Sequence, residues 1–351
     1  MNISDSERIA SVLESIKYKK TLDINEADLI VITMCSVRQA SVDRVHFLAH
    51  KFKGLKAKTI LTGCILKKDK KYFEEGFDYI VDIGDTKTLK KIAREHKSEP
   101  NEFFRGEGAP QRGSPRTCLP AGREKSLFGE RSGYVPIMTG CNNFCSYCVV
   151  PYTRGREVSR PVKDIIEEVK QAIKSGTKEI WLLGQNVNSY KHGDTNFPKL
   201  LKSVNNLPGK FKLNFTSSHP KDFSDELIKI MAKCKKLSRD LNLPIQSGDD
   251  TVLKKMNRPY TVAQYKNLVK RIRKAIPNIR LSTDIIVGFP GETKKQFENT
   301  VKTLKEIGYG VAFINKYSPR AGTAASKLED DVTWAEKKRR EKILIDLINA
   351  R

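Results

Sequence analysis

The sequence contains no apolar run that approaches the roughly 18–20 residues of a membrane span. Its first ten residues, MNISDSERIA, contain no apolar signal core, so they do not predict export. Acidic residues are scarce, with 41 Asp and Glu against 65 Lys and Arg. The seven cysteines are an odd number in a long chain without an export signal, which favours ligands or free thiols over a disulfide framework. We therefore expect a cytoplasmic protein with no membrane partner.

The formal net charge is +24, and the excess of Lys and Arg is spread along the whole chain. Such a charge indicates a polyanionic partner, with nucleic acid favoured over a membrane surface. A generally basic proteome is the alternative, which charge alone does not exclude. The 38% hydrophobic and 30% charged residues exclude wholesale disorder, and 351 residues predict two domains.

The first hundred residues alternate between predicted helices and predicted strands. Ser4 and Glu7 form a capping-box pattern that predicts a helix running through Ile16. Further helices are predicted near Gln39–Phe52 and Thr88–His96, and strands at Leu29–Ile32, Thr59–Leu61 and Tyr79–Val81. Continuous apolar strands bounded by helices indicate a parallel sheet covered on both faces. The pattern begins on a helix, with no strand in front of it.

The composition changes after this region. The segment RGEGAPQRGSPRTCLPAGR, residues 105–123, holds four Gly, three Pro and four Arg in nineteen residues and shows no hydrophobic period. We therefore predict a basic, disordered linker or insertion over residues 99–126. Cys118 lies inside it and is interpreted as a bystander, not a ligand.

A second α/β repeat follows over residues 127–351. Its six strand-like segments start near Tyr134, Lys178, Phe211, Leu241, Arg280 and Val311. Helices are predicted between them at Lys163–Lys174, Ser224–Ala232, Val262–Ala275 and Glu292–Ile307, and after them at Trp334–Ala350. Six βα units predict an incomplete TIM-like barrel whose working face lies at the carboxyl ends of the strands. The charges of the last helix are interpreted as a solvated face.

Three cysteines stand together directly after the first predicted barrel strand. Cys141, Cys145 and Cys148 form a CxxxCxxC loop with the sequence CNNFCSYC. A closed structural zinc site needs four ligands, and this loop offers no histidine or fourth cysteine. A 4Fe–4S cluster held by three cysteines keeps one iron open to substrate. The spacing favours iron–sulfur, and a zinc-stabilised nucleic-acid binder stays open as the alternative.

This loop, with Tyr147 before its last cysteine, resembles that of the radical S-adenosylmethionine (SAM) superfamily. The string TGCNNFCSYCVVPYTRGREVSRP, with LLGQNVNSY, LPIQSGDD, TDIIVGFPGET and YSPRAGT, is similar to the tRNA methylthiotransferases, above all to their MiaB type. The resemblance extends from Asn2 to Ala350. It implies a methylthiotransferase N-terminal domain over residues 1–98, a parallel-sheet α/β fold, and a partial (β/α)6 radical SAM barrel over residues 127–351.

The resemblance also implies how the first site works. Cys141, Cys145 and Cys148 would hold a 4Fe–4S cluster whose open iron binds SAM. Tyr147 would pack on the adenine of that cofactor, although a core aromatic is an equal alternative. Because no side-chain base can take the C2 hydrogen of adenine as a proton, a cofactor must supply a radical.

Polar residues at the predicted strand ends are expected to line this site. The positions that face the barrel mouth, interpreted as contacts to cofactor or target adenosine, are Gln185, Ser217, Gln246 and Asp284. Each could instead satisfy buried backbone groups. Arg154 and Arg156 follow the cysteine loop and are expected to neutralise tRNA phosphate, with ordinary surface ion pairing as the alternative.

Two more cysteines, Cys35 and Cys64, follow consecutive strands of the N-terminal domain, so their thiols can meet at one edge of the sheet. On the residues alone, two buried free cysteines are the alternative. The resemblance implies that the segments MCSVR and TGC supply two of the three ligands of a second 4Fe–4S cluster. Cys234 is interpreted as a packing residue.

The resemblance further implies that both ends of the family's chain are missing here. The third ligand would precede a QMN-like segment on a strand ahead of the first helix, and this sequence starts at Met1. The family's small C-terminal TRAM-like barrel, which binds tRNA, would follow Arg351. We therefore expect a truncated or degraded copy whose second cluster is incomplete.

The expected function is transfer of a methylthio group to C2 of N6-isopentenyladenosine next to the anticodon of tRNA. Expected partners are tRNA, an external electron donor and a sulfur source, and a monomer is expected. Two alternatives stay open: a sister-branch methylthiotransferase that acts on threonylcarbamoyladenosine, and a degraded, non-catalytic iron–sulfur RNA-binding protein.

Overall fold

The structure is a computed structural model that describes residues 2–21, 23–36, 39–96, 116–118 and 132–350 of the chain. The chain forms two compact units, residues 1–127 and residues 128–351. None of the helices in the described ranges is both long and apolar enough to span a bilayer.

The first unit alternates helices with the strands of one five-stranded sheet. The helices are α1 (Asn2–Glu14), α2 (Gln39–Phe52), α3 (Lys67–Phe73) and α4 (Thr86–Glu95). The strands are β1 (Lys19–Thr21), β2 (Leu29–Cys35), β3 (Lys58–Cys64), β4 (Tyr79–Asp82) and β5 (Arg116–Cys118). All are parallel, in the order β1-β5-β2-β3-β4. The predicted parallel-sheet α/β fold is confirmed.

Alternate side chains of β2 serve the two faces of this sheet. Leu29 and Val31 pack in one apolar cluster with residues of α1 and α4. Ile30 and Ile32 pack in a second cluster with residues of α2 and α3. Because both faces are covered, the strand reads as a continuous apolar run instead of an alternating one.

Two local predictions in this unit are wrong. Helix α1 begins at Asn2, so Ser4 lies in its first turn and does not cap the helix. Residues 116–118, inside the predicted disordered linker, form β5 and pair with β1 and β2. Backbone pairing requires no apolar period, which is why composition hid this strand. The rest of the predicted linker, residues 99–115 and 119–126, lies outside the described residues.

The second unit carries the remaining elements. Its strands are β6 (Ser132–Pro136), β7 (Met138–Thr139), β8 (Val158–Ser159), β9 (Glu179–Leu183), β10 (Lys191–His192), β11 (Thr195–Asn196), β12 (Lys212–Phe215), β13 (Asp240–Asn242), β14 (Arg280–Val287) and β15 (Val311–Lys316). Its helices are α5 (Val150–Thr153), α6 (Val162–Lys174), α7 (Phe197–Asn205), α8 (Asp225–Lys233), α9 (Asp250–Lys255), α10 (Val262–Ala275), α11 (Lys294–Ile307) and α12 (Trp334–Asn349).

Six of these strands are parallel and form an open barrel. The order β6-β9-β12 continues through a parallel bridge from Leu213 to Leu237 into β13-β14-β15. Their first residues lie within two positions of the six predicted strand starts. The predicted partial (β/α)6 barrel is confirmed, and all six carboxyl ends face one mouth.

The prediction of a solvated face on α12 is wrong for two of its cations. Arg340 is 4% exposed and donates to the Glu292 carboxylate at 2.8 Å. Lys337 is 2% exposed and donates to both oxygens of Asp330 at 2.6 Å. These pairs attach α12 to the loops that follow β14 and β15.

Candidate active site at the barrel mouth

The cysteine loop leaves the barrel after β7 through a turn that only glycine fits. Gly140 has φ +77°, and a Cβ there would lie 2.1 Å from the carbonyl oxygen of Arg156. The next residue, Cys141, donates its backbone N–H to the carbonyl oxygen of Gly155 at 3.2 Å. The loop and the chain that returns after α5 are therefore closely packed from the start.

The middle of the loop is fixed by the segment that follows α9. Asn257 Nδ2 donates to the carbonyl oxygens of Asn143 at 3.2 Å and Phe144 at 2.9 Å. Ser146 donates its N–H to Met256 O at 3.0 Å. Phe144 and Asn257 both have positive φ, a conformation that costs on the order of 1–3 kcal/mol and concentrates at functional sites.

The three thiols of this loop are mostly shielded from water. Cys141 and Cys145 are each 9% exposed, and Cys148 is partly buried. Burial raises the pKa of the Cys141 thiol, and it raises the pKa of Cys148 to about 12. Cys141 and Cys148 therefore keep their thiol protons until a cation binds and displaces them.

Within the described residues, no group of three His, Cys, Asp or Glu side chains is placed to hold a single metal ion. A tetranuclear iron–sulfur cluster binds each of its thiolates through a different iron, so it needs thiols spread around a larger volume. A mononuclear zinc site would require them around one point. Three thiols on a fixed loop, two of them buried and one partly buried, fit the cluster better than zinc.

A buried arginine stands beside the loop. Arg258 is 6% exposed and donates through Nη1 to Cys145 Sγ at 3.6 Å. Its other nitrogens donate to Pro244 O at 2.9 Å and to Tyr260 Oη at 2.8 Å. Burial alone would lower the pKa of Arg258, but Tyr147, Tyr260 and Cys145 raise it further than burial lowers it. A permanent cation next to a cysteine suits a negatively charged thiolate cluster.

Tyr147 packs against a small apolar cluster that includes Met256 and Phe289. It is partly buried, and burial raises the pKa of its phenol well above the ordinary value. The structure therefore shows an aromatic with apolar neighbours, and its contact with a cofactor stays a prediction.

Three of the four polar residues predicted at strand ends follow a strand, and the fourth lies inside one. Gln185 follows β9, and its Oε1 is buried without a hydrogen-bond partner. Ser217 and Gln246, beyond β12 and β13, have φ of +62° and +71°. Asp284 lies within β14 and accepts from Asn242 Nδ2 at 3.1 Å. Their roles as ligand contacts stay predictions.

The two predicted RNA-binding arginines follow α5, where an aromatic group is exposed. The Arg156 guanidinium lies 4.3 Å from the ring centroid of Phe144. Tyr152, which is 52% exposed, meets the Phe144 ring edge-on at 5.9 Å. Arg154 is partly buried and engaged in a contact, so Arg156 is the more accessible cation.

The second pair of predicted cysteines lies in the first unit. Cys35 and Cys64 are register partners at the carboxyl ends of β2 and β3. Ser36 donates its N–H to Cys64 O at 3.0 Å, and its own hydroxyl is buried without a partner. Gly63 has φ +115°, and a Cβ there would lie 2.2 Å from Met34 O. The register therefore places Cys35 and Cys64 side by side at one edge of the sheet, and their role as cluster ligands stays a prediction.

Sequence reasoning missed several residues of the mouth, namely Gly140, Asn188, His219, Asn257 and Arg258. Gly140 could have been found from TGC, since a glycine before a ligand loop commonly marks a left-handed turn. A buried arginine in NRPY and a buried histidine in SSHP carry no such signal, because burial depends on long-range packing.

Comparison with known proteins agrees with this geometry. The family model of the radical SAM superfamily matches residues 135–304, and that of the uncharacterized protein family UPF0004 matches residues 1–83. The radical SAM methyltransferase TsrM from Kitasatospora setae, with cobalamin and a [4Fe-4S] cluster bound, superposes with a TM-score of 0.60 at 14% identity. That match covers 92% of this chain and 69% of the other and shows a shared fold.

Two curated relatives are much more similar in sequence. The tRNA-2-methylthio-N(6)-dimethylallyladenosine synthase of Clostridium novyi is 42% identical over 99% of this chain and 79% of its own length. That of Carboxydothermus hydrogenoformans is 39% identical over 99% of this chain and 81% of its own. Identity at this level over nearly the whole chain, with both family models matched in order, shows that the chain belongs to the family of tRNA-2-methylthio-N6-dimethylallyladenosine synthases.

Proposed function

We propose that the barrel mouth is the active site of a radical SAM methylthiotransferase, which adds a methylthio group to C2 of N6-isopentenyladenosine next to the anticodon of tRNA. The observation that carries this proposal is the fixed loop of three shielded thiols, two of them buried, beside Arg258 at the carboxyl end of the first barrel strand. Family membership indicates the reaction, and the geometry of the loop indicates where in the barrel it would occur.

Cys141, Cys145 and Cys148 would hold one 4Fe–4S cluster, and SAM would bind beside it at the strand ends. When bound, these two groups supply the one-electron chemistry that an unactivated C2–H bond requires. The protein holds the loop in shape through Asn257 and places a cation at Cys145 through Arg258. Both contacts are made by the protein's own residues, which favours a preorganised site.

The strand-end residues would contact the bound molecules. Ser217 and Gln246 are held in left-handed backbone conformations that ordinary strand ends do not need. The free Oε1 of Gln185 is an acceptor in a buried position. We assign these residues, with Asp284, to cofactor or target adenosine, and Tyr147 to the adenine of SAM.

Bases near the target would stack on the exposed aromatic group beside the loop. Tyr152 and Phe144 offer ring surfaces, and Arg156 adds a cation that can pair with phosphate. Single-stranded RNA is bound in this way, by aromatic stacking with backbone neutralisation. Arg154 would add a second phosphate contact.

The carboxyl edge of the first unit would hold the second 4Fe–4S cluster through Cys35 and Cys64. The buried, partner-free hydroxyl of Ser36 beside them fits an edge that binds a further group. We infer that the reaction takes electrons from an external donor and sulfur from a separate source. We also infer that the enzyme acts as a monomer in the cytoplasm, where its tRNA substrate is found.

The test is anaerobic reconstitution with iron and sulfide, followed by visible spectroscopy and mass spectrometry of tRNA nucleosides. The triple variant Cys141→Ala, Cys145→Ala, Cys148→Ala should lose one cluster's absorbance and all 2-methylthio product. Cys234→Ala is the matched control, because this cysteine is 3% exposed and packs in the barrel core.

Stoichiometric zinc without iron or sulfide in the wild-type protein would refute the proposal. Equal turnover of tRNA that lacks the isopentenyl group would refute the assigned substrate. If the 2-methylthio product forms on threonylcarbamoyladenosine instead, the enzyme belongs to the sister branch of the family.

A further inference from the structure

Buried polar atoms without partners gather in β12 and just beyond β9 and β12, in residues to which the proposed reaction gives no role. Side-chain atoms of this kind belong to Asn186, Asn188, Asn214, Ser218 and His219. These residues are between 2% and 9% exposed. Because an unpaired buried polar group costs free energy, such a concentration in a native fold indicates a ligand that completes the hydrogen bonds.

The free atoms of two of these residues are fixed as donors. Asn188 Oδ1 accepts the backbone N–H of His219 at 3.3 Å, which leaves Nδ2 as the free end of the amide. His219 Nδ1 accepts the N–H of Lys221 at 3.3 Å, so the proton of a neutral ring lies on Nε2. Neither side chain can reverse its role without losing a contact to the backbone.

A third residue is fixed as an acceptor. Asn186 Nδ2 donates to Asp222 Oδ2 at 2.7 Å, and a carboxylate accepts only from a donor. The free Asn186 Oδ1 is therefore an acceptor. Two donors and one acceptor, each set by a second contact, form a defined pattern at the ends of neighbouring parallel strands.

The imidazole of His219 stays uncharged. Burial, with the nearby cations Arg258 and Lys221, lowers the pKa of His219 to about 2. The ring therefore donates one hydrogen bond from Nε2 over the whole physiological pH range and takes no part in proton transfer. A neutral donor of this kind suits a neutral polar ligand such as a nucleoside better than a phosphate.

The array also lies close to the cysteine loop. The His219 ring contacts the Tyr260 ring edge-on at 5.9 Å. Tyr260 in turn accepts from Arg258, whose other end donates to Cys145. One tyrosine and one arginine therefore connect the array to Cys145 through successive contacts.

We propose that Asn186, Asn188 and His219 form a rigid hydrogen-bonding array that binds an adenosine nucleoside at the barrel mouth. The two donors take acceptors on the base or ribose, and the acceptor takes a ribose hydroxyl or an exocyclic N–H. This inference rests on the proposed function, because adenosine is the unit shared by SAM and the target nucleotide.

The experiment compares His219→Phe and Asn188→Asp with the reconstituted wild-type enzyme. His219→Phe keeps a ring against Tyr260 and removes the Nε2 donor. Asn188→Asp keeps an oxygen for the N–H of residue 219 and removes the Nδ2 donor. Dissociation constants are measured for SAM by equilibrium dialysis and for an isopentenylated anticodon stem–loop RNA by filter binding.

We expect each variant to bind one of the two ligands about 10-fold to 100-fold more weakly, since a buried ligand atom then lacks its partner. Weaker SAM binding assigns the array to the cofactor. Weaker RNA binding assigns it to the target, and that loss should be smaller with an RNA that is abasic at the target position, which keeps only the ribose contacts. His192→Phe is the control, because this histidine is exposed on the β10–β11 hairpin.

Wild-type affinity for both ligands in both variants, with unchanged melting temperature and iron content, would overturn the inference. If Phe at position 219 lowers the melting temperature, Asn188→Asp decides alone, because it keeps the contact to the backbone. Failure of the proposed function looks different: the wild-type protein itself would then bind neither SAM nor the RNA.

Discussion

Replacement of Arg258 by methionine should affect the cluster and the apo-protein in different ways. No carboxylate within 4.0 Å of this guanidinium exists in the described part of the chain. Without a cluster, its charge is therefore buried and unpaired, at a desolvation cost of several kcal/mol. That cost opposes its two hydrogen bonds to oxygen, worth about 1.5–3 kcal/mol each. We expect Arg258→Met to change the free energy of unfolding of the apo-protein by less than about 1 kcal/mol.

With a cluster bound, the same substitution removes a cation 3.6 Å from Cys145 Sγ. A full charge at that distance is worth about 4–5 kcal/mol at an effective dielectric constant of about 20. The electron added on reduction spreads over the whole cluster, so only part of this electrostatic energy, about 1–2 kcal/mol, contributes to the reduction potential. We expect the reduction potential to fall by about 50–100 mV, as measured by an anaerobic dye titration followed by EPR.

Arg340→Met is the contrasting variant. It leaves the Glu292 carboxylate, 3% exposed, without the arginine that donates to it at 2.8 Å. Loss of one partner of a buried ion pair typically costs about 3–5 kcal/mol, so this variant should be strongly destabilised. If Arg258→Met is destabilised as much as Arg340→Met, or if its cluster potential does not move, the electrostatic role of Arg258 is refuted.

Further predictions follow from the same geometry. Gly140→Ala should prevent cluster assembly in an iron and sulfide assay, because the added Cβ would lie 2.1 Å from Arg156 O. Gly155→Ala is the comparison, because this glycine also has a positive φ, +75°, but no atom lies within 4 Å of the added Cβ. It should lower the free energy of unfolding by only about 1–2 kcal/mol. Arg156→Gln should reduce the slope of log tRNA affinity against log salt concentration by about one. An unchanged slope would show that Arg156 does not contact a phosphate. Because the pKa of His219 is lowered to about 2, folding stability is full above pH 6.5 and is lost as the pH falls. Below pH 6.5 the free energy of unfolding of the wild type should therefore fall by about 1.4 kcal/mol per pH unit relative to that of His219→Phe. Urea titrations followed by tryptophan fluorescence measure this difference. If the two proteins show parallel plots of unfolding free energy against pH, His219 is protonated in the folded state.

Many elements of this fold could be predicted because a helical period or an unbroken apolar run marks them in the sequence. The β2 strand is apolar throughout since both sides of its sheet are covered, and α10 was predicted at its observed bounds, Val262–Ala275. The errors came where local pattern and packing disagree. Strand β5 has no apolar residues to mark it, and the buried cations of α12 look like any solvated helix face until Glu292 and Asp330 are placed beside them.

The candidate site divides along the same line. The cysteine ligands could be predicted because their chemistry requires a residue type at a fixed spacing, and spacing is a local property. Arg258 and His219 act through burial, which comes from contacts between segments far apart in the sequence. Arg258 meets Cys145 across 113 positions, and His219 meets Asn188 across 31. No pattern within one segment encodes such a contact.

The cysteine ligands and the buried cation come from different segments, and this affects how the mouth holds a cluster. Burial raises the pKa of the Cys141 and Cys148 thiols, so burial of these two side chains by itself favours their protonated, metal-free state. The groups that favour a charged cluster come from elsewhere in the barrel, chiefly Arg258 behind Cys145. The cysteine loop is therefore necessary for the cluster but is not enough to hold it. A peptide or a rearranged barrel with the same CxxxCxxC spacing and no buried cation should bind iron more weakly, because the charge of the thiolates would have no fixed partner.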